Sequence, residues 1–321
     1  MRLWIRQGLA LAGLTALESV RQPIVILLAT AALAFVALMP VLITHTLDDS
    51  ARLVRDSALA LHFVIGLVLG VLMACTALRA ELRTGTAGAV LSKPVPRPLF
   101  FIGKYLGLAA VTLAFSLLMT CATILAARTA HISFFHDWWG SGPLLVALAL
   151  ALALGGLQNF LLRRPFASRA FGALLLLVPL AVLFSGFHSD EETTAAWGAA
   201  LPLAVIPAGV LIALAILLLT GLALALATRL DVVPALVASS IVFLGGLMAD
   251  YLLGRRADQG DVWALLDGLA PNFQHFWAAD ALAADGVPWS YVARVAAYTA
   301  CYLAAVLAAG IIAFRRMELR G

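Results

Sequence analysis

Eight long apolar runs follow one another along this chain, at residues 23–44, 58–79, 104–127, 143–162, 170–187, 202–228, 233–253 and 291–314. A hydrocarbon core about 30 Å thick is crossed by roughly 20 apolar residues at about 1.5 Å rise each. Each run is near that length, so each reads as a membrane span. Composition makes the same demand without any motif. The chain has 321 residues, 63% of them hydrophobic and 12% charged, with a mean hydropathy of +1.02. A soluble domain of this size cannot hide that much apolar surface, so the solvent of most of this chain is lipid. The expected fold is an all-α, polytopic helix bundle of about eight transmembrane helices.

Orientation follows from where the basic residues fall. With the N-terminus inside, inner segments hold 15 of the 21 Lys and Arg residues and outer segments hold 6. The inner ones are three before the first run, five between the second and third, Arg163, Arg164 and Arg169, Arg229, and three at the tail. Acidic residues divide the other way, 4 inside and 13 outside, though acids carry less weight in this rule. Both termini are therefore expected in the cytoplasm. The pI near 9.2 reflects this loop bias and not nucleic-acid binding.

The remaining segments fit a single transmembrane domain over residues 1–321. Residues 1–22 mix Leu3, Trp4, Ile5, Leu9, Leu14 and Leu17 with Arg2, Arg6, Glu18 and Arg21, a pattern for an interfacial helix. A signal peptide is the rival, but the strong apolar run begins only at Pro23 and is too long for a signal core. Trp138, Trp139, Trp289 and Tyr291 mark outer boundaries as headgroup anchors do. Residues 254–290 form the largest outer-face segment, with one or two short helices expected. Cys75, Cys121 and Cys301 fall inside apolar runs, where buried thiols behave as small apolar groups.

The stretch 80–104 is the most charged in the chain. It includes both lysines of the sequence, Lys93 and Lys104, with Glu81, Arg83 and Arg97. Pro94, Pro96 and Pro98 alternate, which no regular helix tolerates. A short surface helix from Glu81 to Leu91 is expected before them. After them Pro98 suits the first turn of a helix entering the membrane. A rigid elbow between two helices is a shape suited to receiving another protein.

Glu81, Gly85, Thr86, Leu91, Ser92, Pro94, Val95, Arg97, Gly103, Lys104 and Gly107 occur in that order between two spans. This resembles the permeases of ABC transporters in the type-2 exporter class, whose loop reads E-x-x-x-G-T, then L-S-x-P-V-S-R, then G-K-x-x-G. Pro96 stands where the family usually has a small polar residue. Leu269, Pro271, His275, Phe276 and Gly286 match a weaker pattern in the family's last outer loop. Eight spans exceed the six usual in the class.

The resemblance implies a permease subunit in a cell inner (plasma) membrane, more often an exporter than an importer. It implies two permease subunits, identical or different, and a separate ABC ATPase pair that holds the ATP and Mg. In that scheme Glu81, Arg83, Gly85, Thr86, Ser92, Lys93, Pro94, Arg97 and Lys104 receive the ATPase. Arg163, Arg164 and Arg169 form a second contact. The chain itself would hold no cofactor and would be no enzyme.

Elementary chemistry agrees that energy must come from elsewhere. A P-loop needs G-x-x-x-x-G-K-[ST]. Lys104 follows Gly103 but precedes Tyr105, with Pro98 at the earlier glycine position, and Lys93 has neither glycine. Ionisable residues deep in the membrane would mark an ion path. The candidates His62, Asp250 and Arg294 all lie near span ends, so each is expected to reach the interface. His131, His136, Asp137 and His188 with Asp190, Glu191 and Glu192 offer imidazole and carboxylate in outer loops, without helical i,i+4 spacing. The alternative functions are a membrane scaffold that transports nothing, or a lipid-modifying enzyme using His188 or His275 as general base. The enzyme would need a polar tunnel within the spans, and the runs show apolar walls.

Overall fold

The computed structural model describes residues 2–43, 50–84, 96–130, 137–188, 197–251, 255, 271–277 and 286–315, with the backbone alone for 2, 3 and 80–84. The elements are α1 Arg2–Arg21, α2 Pro23–Leu42, α3 Ser50–Thr84, α4 Arg97–Thr129, α5 Trp138–Leu162, α6 Phe166–Ser185, α7 Val205–Leu226, α8 Val232–Leu247, a 3-10 turn Phe273–Phe276, and α9 Trp289–Arg315. Among the described residues seven helices, α2 to α7 and α9, are long and apolar enough to cross a membrane. The chain is a multi-pass, all-α membrane protein.

The span expected at 233–253 is helical as far as the described residues go, to 251, with one break at Met248. Helix α8, up to that break, has 16 residues, about 24 Å of rise. Gly246 stands directly against the Pro271 carbonyl and the Phe273 ring, so the 3-10 turn packs on the helix where Gly245 and Gly246 weaken it.

Helix starts follow the prolines. Pro23 opens α2 behind an extended Gln22, and Pro98 lies in the first turn of α4 behind an extended Pro96, where a missing N–H costs nothing. A second expectation is corrected at the other side of the elbow. Instead of a separate surface helix from Glu81, α3 runs unbroken through Thr84, because no proline or glycine falls between Gly70 and Gly85. Residues 85–95 lie outside the described residues.

Helix α4 is the axis of the bundle and packs against α1, α2, α3, α5, α6, α7 and α9. Helices α3, α4 and α7 each bury 67% of their most apolar window, against 17% for α9. The first three are therefore the core and α9 is peripheral. Polar bonds close the two ends separately. On the basic, inner side Arg79 Nε donates to Asp231 Oδ1 at 2.6 Å, Arg97 Nη1 to the Arg315 carbonyl at 2.8 Å, and Gln22 Nε2 to Thr76 Oγ1 at 2.9 Å. On the outer side Ser50 Oγ donates to the Ala130 carbonyl at 2.9 Å.

Candidate functional site

At the inner end, the Gly103–Lys104–x–x–Gly107 motif is where α1 rests on α4. Gly8 lies by Leu99, Leu11 by Gly103 and Thr15 by Gly107, so the two helices run side by side in the same direction. A Cβ at Gly103 would meet Leu11 Cβ at 2.9 Å, and one at Gly107 would meet Thr15 Cβ at 2.7 Å. Only glycine permits that approach. Lys104 is buried against this seat, with Nζ 3.7 Å from Glu18 Oε2 and 5.7 Å from the Phe100 ring centroid. Trp4, Ile5, Leu9, Leu14 and Leu17 of α1 are exposed while Gly8, Thr15 and Ser19 are buried. Its apolar face is thus turned away from the bundle, as a helix at a lipid interface requires.

The other elbow residues divide into three groups. Arg97 opens α4 and is tied to the end of α9. Glu81 and Arg83 belong to the last turns of α3. Gly85, Thr86, Ser92, Lys93 and Pro94 lie outside the described residues.

Arg163 and Arg164 form the tight link of the α5–α6 hairpin. Arg163 takes a left-handed conformation with φ 50°, and Asn159 Nδ2 holds the Arg164 carbonyl at 2.7 Å. Arg163 and Arg164 are exposed and Arg169 is half-buried. Helix α1 touches both α4 and α6, so it bridges the helix carrying Lys104 and the helix carrying Arg169.

Of the outer motif, Pro271, His275 and Phe276 lie in or beside one 3-10 turn, and Leu269 lies outside the described residues. Asn272 caps the 3-10 turn by accepting from the Gln274 N–H at 2.9 Å. The turn's Phe273 and Phe276 are buried, and His275 meets Tyr298 edge-on with centroids 5.5 Å apart. The Asn272 N–H donates to Tyr298 Oη at 2.7 Å, and Tyr291 Oη donates to the His275 carbonyl at 2.9 Å. Pro271 supplies the carbonyl against Gly246. Gly286, with φ +83°, makes the left-handed turn before α9 that other residues resist. The 3-10 turn is thus packed between α8 and α9.

Sequence reasoning missed the most elaborate polar contact. At the outer end of α4, Arg128 is 2% exposed. Its Nε pairs with Asp137 Oδ2 at 2.5 Å, Nη1 donates to Ser185 Oγ at 3.0 Å and to the Ser185 carbonyl, and Nη2 donates to the His188 carbonyl at 2.7 Å. Asp137 also accepts from the Trp139 N–H at 2.9 Å, capping α5. Ser185 Oγ donates to the Trp139 carbonyl at 2.6 Å, and the His188 ring stacks on Trp139 at 3.9 Å. The clamp ties α4, α5 and α6 into one outer block. The only sequence signal was an arginine one residue beyond an apolar run and an aspartate just before two tryptophans. Among the described residues no three His, Cys, Asp or Glu side chains gather as a metal site; His131, His136, Asp190, Glu191 and Glu192 lie outside those residues.

His62 corrects another expectation. It does not reach an interface: it is 0% exposed, edge-on to Phe115 at 5.9 Å, and neither ring nitrogen has a hydrogen-bond partner. Asp250 and Arg294 are exposed as expected. Asp250 accepts from Asn272 Nδ2 at 2.6 Å. Cys301 is also exposed, unlike the buried Cys75 and Cys121.

The spans are not uniformly apolar inside. Along one face of α4, Thr112, Ser116, Thr120 and Thr123 follow at helical spacing. Thr112, Ser116 and Thr123 are buried. The hydroxyls of Thr112 and Ser116 have no partner, and neither has that of the buried Thr220 of α7. Thr120 stands against Gly209 of α7, and Thr220 against Gly70 of α3. No family model matches this chain, and no curated protein or solved structure is detectably similar to it.

Proposed function

We propose that this chain is the membrane-spanning permease subunit of an ABC transporter of the type-2 exporter class, working in an inner (plasma) membrane with a separate ATPase. The observation that carries the reading is the elbow. Gly85–Thr86, Leu91–Ser92, Pro94–Val95, Arg97 and Gly103–Lys104–x–x–Gly107 stand in family order in one connection between two spans. That connection lies on the side favoured by basic residues.

The packing is compatible with such a role. A push on the elbow is delivered to the start of α4, the helix that touches almost every other. Helix α1 packs on both α4 and α6, the helix that carries Arg169. The lack of a P-loop lysine supports an external source of energy.

The test uses membranes holding the full chain and an ATPase subunit with a P-loop. The chain purified alone is expected to hydrolyse no ATP, and the complex to turn it over. Gly85→Val is expected to leave the spans inserted and reduce ATPase retention. Replacing Pro94, Pro96 and Pro98 by alanine is expected to retain the ATPase while transport falls. Hydrolysis by the isolated chain, or wild-type retention and transport in both variants, overturns the reading.

A further inference from the structure

We propose that the seam between α3, α4 and α7 is a closed aqueous path that hydrates in a second conformation and takes neutral, hydrogen-bonding groups. The inference rests on the reading that the chain moves a solute, but its test does not require the ATPase.

The argument begins with unpaid hydrogen bonds. Buried polar groups are nearly always satisfied, and each exception needs a reason. Other exceptions lie on α1 and α8, but four share three mutually packed helices: His62 on α3, Thr112 and Ser116 on α4, and Thr220 on α7. All four are at most 3% exposed. An orphaned buried polar group costs on the order of 1–3 kcal/mol, so a bundle built only for stability would carry alanine or valine there.

The contacts set their relative depth. Gly66 meets Ile216 and Gly70 meets Thr220 between α3 and α7, while Gly209 of α7 meets Thr120 of α4. His62 is level with Phe115, the neighbour of Ser116. Thr220 lies toward the inner end, beside Gly70, two turns further along α3 than His62. Thr112 falls between those levels. From Thr220 through Thr112, Ser116 and His62 to Thr120 and Thr123, polar side chains step along the core helix toward the Arg128 clamp. Gly66 and Gly70 let α3 and α7 close tightly over them. Separation of these helices would give water to every orphaned group at once.

The chemistry of the column sets its cargo. It offers hydroxyls and one imidazole. Among the described residues no carboxylate, lysine or arginine lies on these three faces between Thr220 and His62, and further out Arg55, on the His62 face of α3, is paired with Asp56 at 3.0 Å. A fixed charge in a low-dielectric core needs an opposite charge beside it. The column therefore suits uncharged groups that donate and accept, such as a hydroxyl-rich solute or headgroup.

Neighbouring residues of α4 supply the test. Leu113 and Leu117 are exposed on the bundle's outside, at the same depth as the buried Thr112 and Ser116. Single cysteines are placed at these four positions in a chain with Cys75, Cys121 and Cys301 changed to alanine. Membranes are treated with the neutral reagent hydroxyethyl methanethiosulfonate, with and without the ATPase and ATP. Only an ionised thiol in water reacts quickly, so Thr112→Cys and Ser116→Cys are expected to react at least roughly tenfold faster than Leu113→Cys and Leu117→Cys in one or more conditions. Equal, slow reaction at all four positions in every condition overturns the proposal. Faster reaction without any effect of the ATPase keeps the path and removes the permease reading instead.

Discussion

Helix α4 buries a cation at each end, and the two are held in different ways. At the outer end Arg128 is fixed by Asp137, by both oxygens of Ser185 and by the His188 carbonyl, all from other segments. At the inner end Lys104 stands 3.7 Å from Glu18, whose side chain is 46% exposed. A guanidinium is a rigid planar fork that satisfies several acceptors at once, whereas an ammonium is a point charge on a flexible stem. The outer end is thus built to stay together. The Lys104–Glu18 contact is longer and half exposed, and it lies beside the elbow through which the proposed partner would act.

The largest expected effect comes from breaking the outer clamp. Arg128→Met leaves Asp137 buried without its partner and frees three further acceptor contacts. Removing one member of a buried pair costs about 3–5 kcal/mol. The variant's thermal unfolding in detergent micelles is expected to fall well below that of the wild type. Arg128→Lys should recover only part of the loss, since one ammonium cannot reach the Ser185 and His188 acceptors together. If Arg128→Met unfolds with the wild type, the clamp contributes nothing and the contrast between the ends disappears.

Next comes the seat of α1. Gly107→Val puts branched carbon where Ala12 O lies 2.5 Å and Thr15 Cβ 2.7 Å from the new Cβ. Overpacking of this kind costs about 1–3 kcal/mol. Helix α1 is expected to lift from α4 while the spans stay assembled. Trypsin cleavage after Arg6 and Arg21 should then accelerate, with little change in unfolding of the remaining bundle. Unchanged cleavage would mean that α1 is held by the lipid interface and not by the glycine pair.

The parts legible in sequence are those fixed by one-dimensional physics. Apolar run length set seven of the spans, and Pro23 and Pro98 set two helix starts. What escaped depended on partners distant in the chain. The break in α8 at Met248 falls where Pro271 and Phe273, more than twenty residues later, pack on Gly246. His62 looked interfacial because α3 was expected to begin at 58, but the helix starts at Ser50, which sets His62 eight residues deeper. Thr112, Ser116 and Thr120 stand in a run whose sequence reads simply as apolar, because a face becomes visible only once its neighbours are known. Gly103 and Gly107 were noticed for their motif, and packing supplies the physical reason for their spacing.

The smallest effect is expected at Glu18, and it sharpens the comparison most. Glu18→Gln removes the charge next to Lys104 and keeps nearly the same shape. Because the Glu18 side chain is half exposed and 3.7 Å away, water and salt already screen the pair, and such contacts contribute about 0–1 kcal/mol. Unfolding should move by no more than that. The difference should also shrink as salt is raised, since a Debye length of about 8 Å at 0.15 M falls to about 3 Å at 1 M. The Arg128–Asp137 pair is sealed from solvent, so the deficit of Arg128→Met should persist across the same salt range. Parallel salt titrations of the two variants decide the matter. A large, salt-insensitive loss in Glu18→Gln would make the Glu18 contact as strong as the outer clamp and end the contrast between them.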